Sequence, residues 1–239
     1  MILIDSLLYE IDQKLNKLSS NYHQEIPLED KILALNEAQV SLIKNKITGF
    51  SPLPGMGLDS FKKRYEDLQN LITLYQKLNI SKGDPSLNEW NSSLPVPNYM
   101  FYIDSYIIAD KGRCKDRIIW VNRELAKHAD IRFLINNVHY SPSFEYQETF
   151  NTITDNKISI YTDGTFTPKE LHLSFLKYPK YMNKEGYIDL AGIPSNTVDC
   201  ELHSYLKEEL LNVAVKNLAM YTENAPAVQG AQMRINVND

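Results

Sequence analysis

The chain has 239 residues, 43% hydrophobic and 23% charged, enough for one sizeable core or a core plus a smaller lobe. That balance excludes disorder of the whole chain. A net charge of −5, from 25 basic and 30 acidic residues, argues against nucleic-acid binding as the main task, because that calls for a basic face.

Apolar residues Ile4, Leu7, Leu8, Ile11, Leu15 and Leu18 recur at spacings of three and four, which predicts a helix over 3–20. Asp5, Glu10 and Asp12 interrupt this apolar start. It lacks the basic opening and unbroken core of a signal peptide, and no apolar run approaches the ~20 residues of a membrane span. The expectation is a soluble, intracellular chain. Pro27 suits the first turn of a second helix over 28–48, with Glu29 and Asp30 favouring its N-terminal dipole. Its stripe is Ile32, Leu35, Gln39, Leu42, Ile43 and Ile47, and Gly49 is a stop signal. Asn36 and Gln39 raise two readings. Either they are buried between helices and fix register by hydrogen bonding, or Asn36 faces solvent.

The loop FSPLPGMG follows, then Leu58, Phe61, Tyr65, Leu68, Ile72, Tyr75 and Leu78 predict a third helix over 58–78, capped by Asp59 or Ser60. Residues 79–97, rich in Ser, Asn, Gly and Pro, read as a linker. Beyond it the texture turns to β-branched and aromatic residues, predicting strands over 99–109 and 113–122 joined by an Ala109–Gly112 turn. A short helix over 128–137 precedes strands over 143–153 and 156–162, with Thr154-Asp155 as the turn. Residues 169–179 alternate with period two, as a half-buried strand does. The helical period returns over 200–222 with Leu202, Leu206, Leu210, Val213, Ala214, Leu218 and Tyr221. The expected class is α+β: N- and C-terminal helices forming one bundle, with an inserted small antiparallel β lobe of about five strands. In residues, that is a helical bundle of 1–80 and 198–222, a β-rich insertion of 98–197 and a flexible tail of 223–239.

Catalytic and ligating patterns are sparse. His23, His128, His139, His172 and His203 never stand three or four apart, and Cys114 and Cys200 form neither a CxxC pair nor a zinc spacing, so two free thiols are expected. Pro54-Gly55-Met56-Gly57 lacks the lysine of a phosphate loop, and no GxSxG occurs. Asp59 with Glu66, and Glu145 with Glu148, read as solvated pairs; by parity the latter point to opposite faces of a strand. No catalytic, cofactor-binding or metal-binding residue is assigned, no cofactor is expected, and the chain is read as a non-enzyme. Tyrosine outnumbers phenylalanine, 15 to 8. That tilts the reading toward contact surfaces, where a ring with one wet end is favoured.

The stretches ILALNEAQVSLIKNKI, KKRYEDLQNLI, SPSFEYQETF with ISIYTDGTFTPKELHLSFLKYPKYM, and TVDCELHSYLKEELLNVAVKNLAMYTEN resemble those of the head–tail adaptor or ring proteins of tailed bacteriophages, most closely of crAss-like phages. Together they cover most of residues 28–222. The resemblance implies a structural virion protein, a subunit of a ring joining the portal to the tail and extending the DNA channel. Its implied partners are its own copies (a ring of twelve), the portal protein and other tail or ring proteins. Viral DNA would pass through without sequence-specific binding, and no membrane is implied. The implied location is the portal–tail junction of the virion, after synthesis in the host cytoplasm. Three other readings stand beside it: another phage tail or head-completion protein, an enzyme with a dispersed site, and a module binding peptides along a sheet edge.

Overall fold

The structure, a computed structural model, describes residues 2–18, 26–48, 66–122, 127–186 and 195–221. Among these lie four α-helices: α1 (Ile4–Leu18), α2 (Leu28–Thr48), α3 (Ile131–Asn136) and α4 (Lys207–Tyr221). Eight strands are present: β1 (Ile72–Asn79), β2 (Ser81–Lys82), β3 (Glu89–Ser93), β4 (Tyr99–Lys111), β5 (Cys114–Asn122), β6 (Glu148–Thr154), β7 (Lys157–Tyr161) and β8 (Thr167–Lys177). The chain divides into two compact units, one of Met1–Leu71 with Pro179–Asp239, the other of Ile72–Tyr178.

In the first unit, the α1 stripe of Ile4, Leu7, Leu8, Ile11 and Leu15 is buried as its spacing dictates. α4 contacts both α1 and α2 and buries Leu210, Leu211, Ala214, Val215 and Leu218. Charged pairs fasten the seams. Lys14 Nζ lies 2.6 Å from Glu208 and donates to Asn212 Oδ1 at 2.8 Å, and Lys31 Nζ lies 2.7 Å from Asp12. Both Asn36 and Gln39 are buried. The Asn36 amide acts as a one-residue strand partner: Oδ1 accepts from Met182 N at 2.7 Å and Nδ2 donates to Met182 O at 3.0 Å. Nδ2 also donates to Ile32 O, 2.8 Å away. The buried amide therefore bonds to backbone, and its two Met182 bonds fix a chain segment against α2. Gln39 Nε2 is buried without a partner.

The second unit is a single sheet in the order β1-β8-β4-β5-β6-β7-β3-β2. Its ladders are antiparallel except β5 with β6, which run parallel. A parallel pair needs a long crossover, and residues 123–147, which include α3, supply it. The sheet curls into a half-barrel that brings β1 close to β3. Its concave side holds Ile107, Ile119, Ile158, Ile160, Phe166, Leu171, Leu173 and Phe175. Ile107 stands opposite both Ile119 and Leu171, as a core row must. A polar node sits inside: Tyr102 Oη and Ser105 Oγ are 2.8 Å apart, and Asn151 Nδ2 donates to Ser105 Oγ at 3.5 Å. On the convex side, Ile131 and Leu134 of α3 cover Phe150 and Tyr161, whose rings stack 4.9 Å apart.

This overturns the expected class. The fold is α+β, but an eight-stranded mixed half-barrel dominates it, not terminal helices bundled around a small antiparallel lobe. The expected third helix over 58–78 fails in its second half; residues 66–67 are helical and Gln69–Leu71 is a 3-10 turn. Residues 58–65 lie outside the described residues, and Ile72–Asn79 is strand β1. β1 carries an irregularity between Thr73 and Gln76, with Tyr75 at φ 49°. A bulged residue lets positions three apart share a face, so Ile72 and Tyr75 imitate a helical spacing, whereas Leu78, opposite Leu171, faces the core. The expected linker over 79–97 contains β2 and β3. β3 reads EWNSS, and its polar composition hides a strand that pairs along its whole length with β7. Residues 144–147, expected to open a strand, form a turn ahead of β6. The β6–β7 turn is Asp155-Asn156, both at positive φ (48° and 57°), as a type I′ hairpin needs. The capping residues Asp59 and Ser60, the Pro54–Gly57 loop and the tail of 223–239 lie outside the described residues.

Candidate docking face

The convex face over β1, β8, β4 and β5 carries a row built by strand register. Lys77 stands opposite His172, His172 opposite Tyr106, Tyr106 opposite Trp120, and Trp120 opposite Glu148. Side chains alternate between faces with period two, so this whole row points away from the core that holds Ile107 and Leu173. The next row brings Glu170, Ile108 and Ile118 side by side. The β1 bulge swings Tyr75 onto the same face, its ring 5.2 Å from that of Tyr106. Ser174 Oγ accepts from the Tyr75 N–H at 3.1 Å, which holds the bulge in place.

The result is an aromatic patch in water. Trp120 is 49% exposed and Tyr75 44%; Ile118 in the next row, and Phe101 further along β4 opposite Leu176, are exposed as well. The Tyr106 and His172 rings stack at 4.7 Å with their planes 5° apart. Tyr106 meets Trp120 at 60° and Tyr75 at 54°. The rings pack herringbone fashion, the arrangement favoured by their quadrupoles. One edge is charged: Lys77 Nζ lies 2.6 Å from Glu170 Oε1, and this bond holds the Glu170 carboxyl below its ordinary range. His172 Nε2 is 3.5 Å from Glu170 Oε2, close but without hydrogen-bond alignment. Asp104 and Glu148 bracket the aromatic centre on neighbouring register positions.

A second apolar surface lies on the crossover. Phe133 is 62% exposed and Val138 89%, with Tyr140 and Tyr146 exposed nearby. Isolated exposed apolar residues are ordinary, but groups of this size mark contact surfaces.

Ionisable groups elsewhere serve the fold. Asp67 is buried, accepts a hydrogen bond from the Tyr205 hydroxyl and lies 3.5 Å from Lys46 Nζ, which also pairs with Glu209 at 3.0 Å. Burial and this carboxylate push the Tyr205 phenol well up. Burial pushes the Cys200 thiol up to about 11, and a hydrogen bond to Glu37 raises Tyr221 to about 12. Cys114 is exposed and Cys200 buried, both with free thiols. His128 and His139 are exposed, while His203 lies against Tyr205. Glu145 pairs with Lys111 at 2.7 Å in the turn before β6, and Glu148 begins that strand. Glu66 is exposed; Asp59 and His23 lie outside the described residues. Among the described residues, no three His, Cys, Asp or Glu side chains are grouped to hold a metal ion, and no helix is long and apolar enough to cross a membrane.

Sequence reading missed the aromatic face. Tyr75, Tyr106, Trp120 and His172 come from four strands, and only the order β1-β8-β4-β5 brings them together. The excess of tyrosine was the one available signal. No family model and no curated protein matches the chain.

Proposed function

We propose that the chain is a structural subunit of a tailed-phage particle, one copy in a ring that joins the portal to the tail. The observation that carries this reading is the convex sheet face, which keeps Trp120, Tyr75, Phe101 and Ile118 in water. Such a surface suits burial against a protein neighbour. The resemblance of residues 28–222 to ring proteins of crAss-like phages supplies the identity of the assembly. A ring repeats one head-to-tail contact, so each copy must carry two unlike surfaces. The sheet face and the crossover around Phe133 and Val138 are two such surfaces in one folding unit. The test is peptide mass spectrometry of purified particles, followed by a density map of the portal–tail junction. The expected result is this chain in stoichiometric amount with the portal, in a ring beneath it. Absence from particles refutes the reading, and a position elsewhere in the tail replaces it with another phage structural role.

A further inference from the structure

We propose that the Tyr75–Tyr106–Trp120 face of one copy is the seat for the Phe133–Tyr140 crossover of the next, a contact that rests on the ring reading above. Three observations choose a second copy as the occupant.

The first is ring geometry. Flat ligands such as bases or sugars stack on ring faces left open. Here Tyr106 and His172 each cover one face of the other, and Tyr75 and Trp120 are tilted against Tyr106 by 54° and 60°. The surface is ridged rather than planar, and ridges receive side chains. The second is size. About half of each of Trp120, Tyr75, Phe101 and Ile118 is exposed. At roughly 150–250 Å² per large side chain, that leaves on the order of 400 Å² of apolar surface, about half of one partner's share in a standard interface. The third is charge. Asp104 and Glu148 flank the aromatic centre, and the Lys77–Glu170 pair neutralises itself. Among the described residues 127–140 the crossover presents exposed Lys127 and Arg132 around Phe133 and Val138, with Asp130 as the one acidic residue beside them. A negative rim facing a positive one steers encounter and fixes orientation.

The two surfaces differ, so engaged one at a time they make a head-to-tail contact that runs on from copy to copy until it closes, whereas reciprocal engagement stops at a two-fold dimer; growth beyond a dimer separates the two. α3 is anchored by Ile131 and Leu134 on the Phe150–Tyr161 stack, so Phe133 is presented from a packed base.

The test uses two exposed substitutions in the full chain, Trp120→Glu on the face and Phe133→Glu on the crossover, with circular dichroism to establish folding. Sedimentation velocity up to millimolar chain is expected to show wild type growing beyond a dimer and each variant alone remaining monomeric. Mixed together, the variants pair through the one intact face and the one intact crossover and grow no further. Glu148→Lys and Arg132→Glu are each expected to weaken association at least about tenfold, and their mixture to recover it. Wild type that stays monomeric, either first-pair variant associating like wild type, or a mixture that fails to pair overturns the contact. Those results leave the chain's presence in phage particles untouched. Absence from particles with the pairing intact refutes the ring reading alone.

Discussion

Replacing Asn36 by leucine isolates what the buried amide in α2 does. Asn36 is 7% exposed and Met182 fully buried, so no water replaces the two lost bonds at 2.7 and 3.0 Å. Each backbone group of Met182 left unpaired costs about 1–3 kcal/mol. The Ile32 carbonyl already accepts within the helix and adds little. Burying leucine returns about 1.5–3 kcal/mol. Set against about 2–6 kcal/mol for the two stranded groups, the net expectation is a loss of about 2 kcal/mol, read as a lower denaturant midpoint. Gln39→Met is the control on the same helix. Gln39 Nε2 is buried and unpartnered, so its removal strands no donor or acceptor on a neighbour and is expected to be neutral or stabilising by up to about 1 kcal/mol. Hydrogen exchange at the Met182 amide adds a local reading, with protection lost in Asn36→Leu and kept in Gln39→Met. Equal midpoint shifts for the two variants, or an unchanged Met182 amide, refute the argument that Asn36 serves as a strand partner.

Asp67→Ala leaves Lys46 and the Tyr205 hydroxyl without their buried carboxylate. Lys46 keeps Glu209 at 3.0 Å, so a loss of about 1–3 kcal/mol is expected in thermal or denaturant unfolding, with Asp67→Asn costing less. Cys200 gives an alkaline limb. Its thiol is raised from 9.0 to about 11 in the folded chain, so the unfolded chain loses this proton first. The contribution is full below pH 9 and fades as pH rises toward 11, and Cys200→Ala removes that part of the slope in unfolding titrations. Asp110 gives the opposite limb. Lys169 and the Asp116 N–H lower its carboxyl from 3.8 to about 2, so its contribution is present above pH 4 and is lost as pH falls toward 2. Amide shifts in the β4–β5 hairpin are expected to titrate in that window, and Asp110→Asn to abolish the titration.

The sequence by itself determined the elements whose period is uninterrupted. α1, α2 and α4 follow from apolar spacings of three and four, and β4, β5 and β8 from β-branched and alternating runs, because side-chain direction in a regular element depends only on local geometry. The period failed at Tyr75, where one bulged residue made a strand count like a helix, and at β3, whose polar residues form a strand only because β7 lies alongside. Asn36 was legible as a candidate buried amide, but not its partner Met182, 146 positions away. The half-barrel, its parallel β5–β6 pair and the aromatic face were decided by tertiary structure. Lys77, His172, Tyr106 and Trp120 form one row because three ladders share a register, and register is a property of strands in contact rather than of any one strand.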